Sequence, residues 1–355
     1  MPNRVEINGE TVTQSERSEM DLLALTEAAR KVIVSPGRAS VITNEHRLPE
    51  IDPSTVETPD LQLFHFGFSI CSQKVRAVLD ELGLAFGSNQ YAGPIEYENY
   101  TPEYVRLRLA SEVAQQARFV SSYSGGSSVE SEGFDPLVVP TLVDTGSGKI
   151  LADSKLICLH LTRQYRDRID LLPEDLEAEI MAQIDHVDRT PHVAMLYGAN
   201  PDHDTRPEEI QARMPGIYQK KYKKIADFMA RVADEPELIA AYEAKLAKER
   251  AAEGFVVDAE AMSAAIALSE ELVQGLEDTL TQSQGPWIFG DRFTLADIFW
   301  GVSLIRLAYL GNAGFWGETA NRPNVRAYYD RIIQRPCLIH GVLTWPGSGR
   351  RMPTS

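Results

Sequence analysis

The stretch "FHFGFSICSQKVRAVLDELG", residues 64–83, decides how this chain is read. It opens apolar and aromatic, as a strand does. It closes with Val75, Val78, Leu79 and Leu82 on one helical face before Gly83 stops the helix. At the junction sits a lone cysteine, Cys71, flanked by Ser69 and Ser72. A thiol in the first turn of a helix meets orphan backbone N–H groups and the positive end of the helix dipole. With Lys74 and Arg76 close behind it, that setting favours the thiolate. "CSQK" has the spacing of a redox C-x-x-C without its second cysteine, so an external thiol must resolve any disulfide that Cys71 forms. Ser69 and Ser72 offer hydroxyls to a second, bound thiolate. The plain alternative is a small residue packed at a crowded strand–helix junction.

Working outward, "LAFGSNQY" reads as a second strand. "LVVPTLVD" (137–144) and "KILADSKLICLHLTRQY" (149–165) then give strand, turn, strand and helix. The order βαβ…ββα builds a small α/β domain. Pro140 lies between two apolar segments and cannot donate to a ladder. A cis Val139–Pro140 bond would offer the backbone of Val139 as an edge for a peptide-like ligand; a trans edge proline is the simpler reading. Asp153 and Ser154 open a helix, where a hydroxyl and backbone amides accept a carboxylate or else cap the helix. The segment from about 106 to 136 breaks the pattern with a Ser/Gly/Glu-rich loop and reads as an insertion.

From residue 167 the pattern is helical. Residues 292–311 form a nearly all-apolar central helix, opened by a Thr294/Asp297 capping box. Residues 324–336 form a last helix stopped by Pro336. Residues 1–59 are polar around one helical stretch, "MDLLALTEAARKVIV". The expected organisation is an arm (1–59), an α/β domain (60–166) and an all-α domain (167–355).

The 355 residues carry 43% hydrophobic and 24% charged side chains, the composition of an ordinary globular protein. A net charge of −16 argues against nucleic acid and anionic membrane as partners. Three cysteines, an odd and sparse count, argue for a reducing compartment. Neither a membrane-length apolar run nor a signal-peptide core is seen, so the expected location is the cytoplasm. There is no zinc-ligand spacing. Cys158 and Cys337 read as structural, as does His65 on its strand. "QKKYKK" (219–224) reads as a solvated helix face.

Cys71 at a helix start, "VVPTL", "ADS" and a later "FTLADI" together resemble the glutathione S-transferase superfamily over about residues 61–340. Within it, "SICSQKVR", "YVRL" (104–107), "LYG" (196–198), "LADI" with Trp300, and "AYYDRI" (327–332) resemble the glutathione-dependent reductive dehalogenases of chlorinated hydroquinones. The arm and the insertion resemble the lindane-pathway members more than the shorter pentachlorophenol-pathway ones. The resemblance implies a thioredoxin-like domain followed by an all-helical bundle, in a homodimer that uses glutathione as co-substrate. It implies that Val139 and Pro140 meet the cysteinyl backbone of glutathione, Asp153 and Ser154 its γ-glutamyl end, and Ser69 its thiolate, with Cys71 the enzyme nucleophile. A small aromatic substrate would lie between the domains over Phe66 and Phe68. His192 and Tyr197 are candidates to bond its hydroxyls, or else pack as ordinary helix residues. Three other readings stay open: a β-aryl etherase, a zeta-type isomerase, in both of which Cys71 would be dispensable, and a transferase-like protein without catalysis.

Overall fold

The structure, a computed structural model, describes residues 4–7, 10–33, 39–42, 59–93, 96–126 and 129–348. A hairpin of β1 (Arg4–Ile7) and β2 (Glu10–Thr13) leads into α1 (Gln14–Lys31) and β3 (Ala39–Ile42). Then come β4 (Leu61–Phe66), α2 (Ile70–Glu81), β5 (Phe86–Tyr91), and three short helices: α3 (Pro102–Leu109), α4 (Glu112–Gln116) and α5 (Val129–Glu132). β6 (Thr141–Asp144), β7 (Lys149–Ala152) and α6 (Ser154–Gln164) complete the α/β part. The sheet order is β3-β5-β4-β6-β7. β4 and β5 are parallel, because α2 crosses between them, and the other pairs are antiparallel.

Alternation along β4 assigns the two faces. Leu61 and Leu63 pack with Val75, Val78 and Leu79 of α2 and Ile157 and Leu161 of α6. Phe64 points the other way, into Tyr91, Tyr104, Leu107 and Val143. Leu22, Thr26 and Ala29 lie on one face of α1 and are buried; Leu22 and Ala29 join that second cluster. The first 59 residues thus hold more than one helix: a hairpin precedes α1, and β3 extends the sheet at β5.

The helical part runs α7 (Glu177–Asp188), α8 (His192–Tyr197), α9 (Glu208–Arg213), α10 (Ile217–Met229), α11 (Pro236–Val257), α12 (Ala259–Gln282), α13 (Leu295–Tyr309) and α14 (Pro323–Ile332). α13 is the central helix, buried at every position from 295 to 307. The Thr294/Asp297 capping box is present. Burial raises the Asp297 carboxyl to about 6 although it accepts hydrogen bonds from the Ile288 N–H and the Tyr328 hydroxyl. α14 ends at Ile332, short of Pro336, which starts a further turn. From there the chain returns to α2. Gly341 fits because a Cβ there would stand 2.8 Å from the Ala77 nitrogen. Trp345 stacks on Phe86 and lies 4.6 Å from the Arg76 guanidinium.

Candidate active site

Helix α2 begins at Ile70 with Ser69 as its N-cap, so Cys71 is the second helical residue, partly exposed. The Ser69 hydroxyl accepts the Ser72 N–H at 3.3 Å. Ser72 is fully buried and its hydroxyl accepts the Phe66 N–H at 3.3 Å. Its hydroxyl fastens the strand to the helix from a buried position, which differs from the role expected of it beside Cys71.

The two following cations also divide. Arg76 donates to the carbonyl oxygens of Phe66 (2.8 Å), Gly67 (2.9 Å) and Gly341 (2.9 Å) and to His65 Nδ1 (3.1 Å). It ties the β4–α2 junction to the returning chain and does not serve the thiol. Burial, and then the Arg76 charge, push His65 well below its ordinary value, and its Nε2 meets the Ser88 hydroxyl at 2.8 Å. Lys74 does face the site. Burial opposes its charge, but Asp188, its ion-pair partner, and Cys71 outweigh that and raise its pKa.

Arg306 on α13 is the residue the sequence reading missed. It is 2% exposed, donates to the Phe68 carbonyl, and holds its guanidinium 4.3 Å from the Phe68 ring centroid. Phe68 in turn meets Tyr309 edge to face at 5.5 Å. Burial lowers Arg306 to about 10, while Tyr309, Cys71 and Tyr197 pull it the other way. The available signal was a lone arginine in "DIFWGVSLIRLAYL", an otherwise apolar run.

The Val139–Pro140 bond is cis. The β6 ladder starts at Thr141, opposite Phe64, so Val139 lies just beyond it. Two α3 residues hold this corner. Tyr104 donates to the Val138 carbonyl (2.7 Å), and Arg108 to those of Pro140 (2.6 Å) and Asp135 (2.8 Å). Tyr104 opens the "YVRL" that contributes to the resemblance, and Arg108 is the residue just after it.

Asp153 caps α6 at φ 78°, a left-handed conformation that costs a non-glycine residue ~1–3 kcal/mol. Its carboxylate accepts the N–H groups of Lys155 (2.8 Å), Leu156 (3.2 Å) and Val129 (3.3 Å). Burial nevertheless raises its pKa. Ser154 is the first helical residue and is buried. Lys155 bridges Asp185 (2.6 Å) and Glu130 (2.7 Å), so α5 of the insertion sits over this helix start.

The structure brings Ser69, Cys71, Phe68 and Arg306 together at the start of α2. His192 is one turn from Arg306, its Nε2 2.8 Å from the Ser303 hydroxyl on α13. Phe66 lies on the opposite sheet face, 6.4 Å from Tyr91, and is not brought beside Phe68. Tyr197 joins a tyrosine cluster, 5.9 Å from Tyr218, with the Lys221 ammonium 3.9 Å from its ring centroid. Lys221 is buried, so "QKKYKK" is not the uniform solvated face expected.

Two family models match the chain: the N-terminal domain of glutathione S-transferase over residues 68–164 and its C-terminal domain over residues 239–331. The chain belongs to the glutathione S-transferase family. It is an enzyme of that superfamily, with the α/β-then-helical fold expected from its sequence and glutathione as co-substrate. It is 48% identical over 330 residues, 92% of this chain and 95% of the relative, to 2,5-dichlorohydroquinone reductive dechlorinase of Sphingobium indicum. It is 26% identical over 283 residues, 78% of this chain and 93% of the relative, to tetrachloro-p-hydroquinone reductive dehalogenase of Sphingobium chlorophenolicum. The crystal structure of β-etherase LigF from Sphingobium sp. strain SYK-6 matches with a TM-score of 0.53 at 20% identity, covering 79% of this chain and 98% of its own. At that identity the likeness shows the fold alone.

Proposed function

We propose that the protein is a glutathione-dependent reductive dehalogenase that replaces chloride by hydrogen on a chlorinated hydroquinone. The observation that carries this is Cys71, partly exposed in the first turn of α2 two residues after Ser69, in a chain 48% identical along 92% of its length to a protein named for that reaction.

In this reading the Val139 backbone, Pro140, Asp153 and Ser154 hold glutathione, and Ser69 steadies its thiolate. The thiolate adds to the chlorine-bearing carbon of the substrate's keto tautomer. A C–S bond forms, and chloride leaves with the C–Cl pair. The Cys71 thiolate then attacks the sulfur of this conjugate. An S–S bond forms, the C–S pair returns to the ring, and the ring carbon ends with hydrogen where chlorine was. A second glutathione thiolate exchanges onto the mixed disulfide, freeing Cys71 and releasing oxidised glutathione. In this reading no second cysteine resolves the mixed disulfide: burial pushes the Cys158 and Cys337 thiols well above their ordinary range.

Phe68 and His192 stand nearest the ring in this reading, with Phe66 and Tyr197 farther out. A cytoplasmic homodimer is part of the same proposal; none of the three cysteines is disulfide-bonded.

The test is Cys71→Ser with 2,5-dichlorohydroquinone and glutathione, followed by mass spectrometry. The expected result is a glutathionyl-hydroquinone conjugate that accumulates without dechlorinated product. Wild-type turnover by the variant removes Cys71 from the mechanism, and a wild type that leaves the chlorohydroquinone intact refutes the dehalogenase reading.

A further inference from the structure

We propose that Arg306 is a catalytic residue whose open guanidinium edge binds a ring oxygen of the substrate and stabilises the negative charge that develops there. The inference rests on the dehalogenase reading above.

Other buried arginines of this protein have their donors occupied. Arg76 serves three carbonyls and a histidine nitrogen. Arg108 reaches two carbonyls and the Thr141 hydroxyl, and Arg206 pairs with Asp204 at 2.7 Å. Arg306 is as buried as Arg108, at 2% exposure, but among the described residues its single hydrogen bond goes to the Phe68 carbonyl. Its Nε is buried and has no hydrogen-bond partner, and no carboxylate lies within ion-pair distance among the described residues. A buried cation with neither counter-ion nor full hydrogen bonding is costly, and it makes physical sense where negative charge arrives from elsewhere.

The place is where that charge would appear. Arg306 bonds a carbonyl three residues before Cys71, and the Cys71 charge is among those that favour its protonated form. When the glutathione thiolate adds to the ring, the displaced π pair moves onto a ring carbonyl oxygen and then returns to expel chloride. When Cys71 takes the sulfur of the conjugate, the C–S pair passes into the α-keto position and appears as an enolate oxygen, which a proton converts to a hydroquinone hydroxyl. Both steps place charge on a ring oxygen, and a preorganised donor in a dry site lowers both barriers.

The test compares Arg306→Met and Arg306→Lys in the full chain on two reactions. One is dechlorination of 2,5-dichlorohydroquinone. The other is glutathione-dependent reduction of 2-hydroxyethyl disulfide, which exercises Cys71 and glutathione but puts no charge on a ring oxygen. Arg306→Met should lose about 100-fold in kcat on the chlorohydroquinone. It should keep disulfide reduction within about threefold of wild type, with Arg306→Lys recovering part of the lost kcat. Dechlorination by Arg306→Met at the wild-type rate overturns the assignment. Equal loss of both reactions also overturns it, leaving Arg306 as a brace for the turn before Cys71. A wild type that reduces the disulfide but leaves the chlorohydroquinone intact refutes the dehalogenase reading, and the assignment falls with it.

Discussion

Two regions of this molecule bury charge, and they do so in opposite ways. Between the insertion and helices α10 and α11, Lys245 binds Asp135 (2.8 Å) and Glu249 (2.9 Å), Lys221 binds Glu249 (2.8 Å), and Lys248 binds Asp135 (3.1 Å). All five side chains are at most 12% exposed. The two lysines on Glu249 overcome the penalty of burial and hold its carboxyl down at about 2. At the start of α2, Arg306 has a carbonyl, an aromatic face and an open nitrogen. Where burial of charge serves assembly, each ion has its opposite. Where a buried ion has none, the deficit marks the place a ligand's charge is to fill.

The contrast can be broken most sharply at Glu249. Glu249→Leu strands the buried Lys221 ammonium and leaves Lys245 with Asp135 alone, and urea titration should show a loss of about 3–5 kcal/mol of stability. A loss under about 1 kcal/mol would mean the network is as dispensable as a surface ion pair. A gentler change uses pH. Glu249 is depressed in the folded state, so its contribution is present above its unfolded value of about 4.5 and fades as pH falls toward about 2. Glu249→Gln should therefore flatten the dependence of stability on pH across that window; an unchanged slope would contradict the pairing. The smallest effect should be Arg306→Met. Its lost hydrogen bond is offset by relief of an uncompensated cation, so the stability change should stay within about 1 kcal/mol. A change as large as that of Glu249→Leu would make Arg306 one more structural charge.

Local periodicity made much of this legible. The apolar run of β4, the helical face of α2 and the buried all-round pattern of α13 each show in a dozen residues, and the serine–cysteine pair at the strand–helix junction shows with them. What stayed hidden depends on contacts distant in sequence. Arg76 reads as a neighbour of Cys71, yet its partner Gly341 lies 265 positions away. Arg306 reads as an oddity until its bond to Phe68, 238 positions earlier, is known. β3 contributes backbone pairing to β5, and such pairing leaves little mark on a four-residue sequence.

The return of the chain to α2 bears on how the protein is made. Synthesis runs from the first residue onward, so the α/β part leaves the ribosome long before the stretch that carries Gly341 and Trp345. Until that stretch arrives, Arg76 lacks a carbonyl acceptor and its indole neighbour, and His65 lacks its ring contact with Trp345. The turn that presents Cys71 is therefore fastened late, after the helical part has been translated, and a nascent chain stalled before residue 341 would hold Cys71 in an unfinished mount.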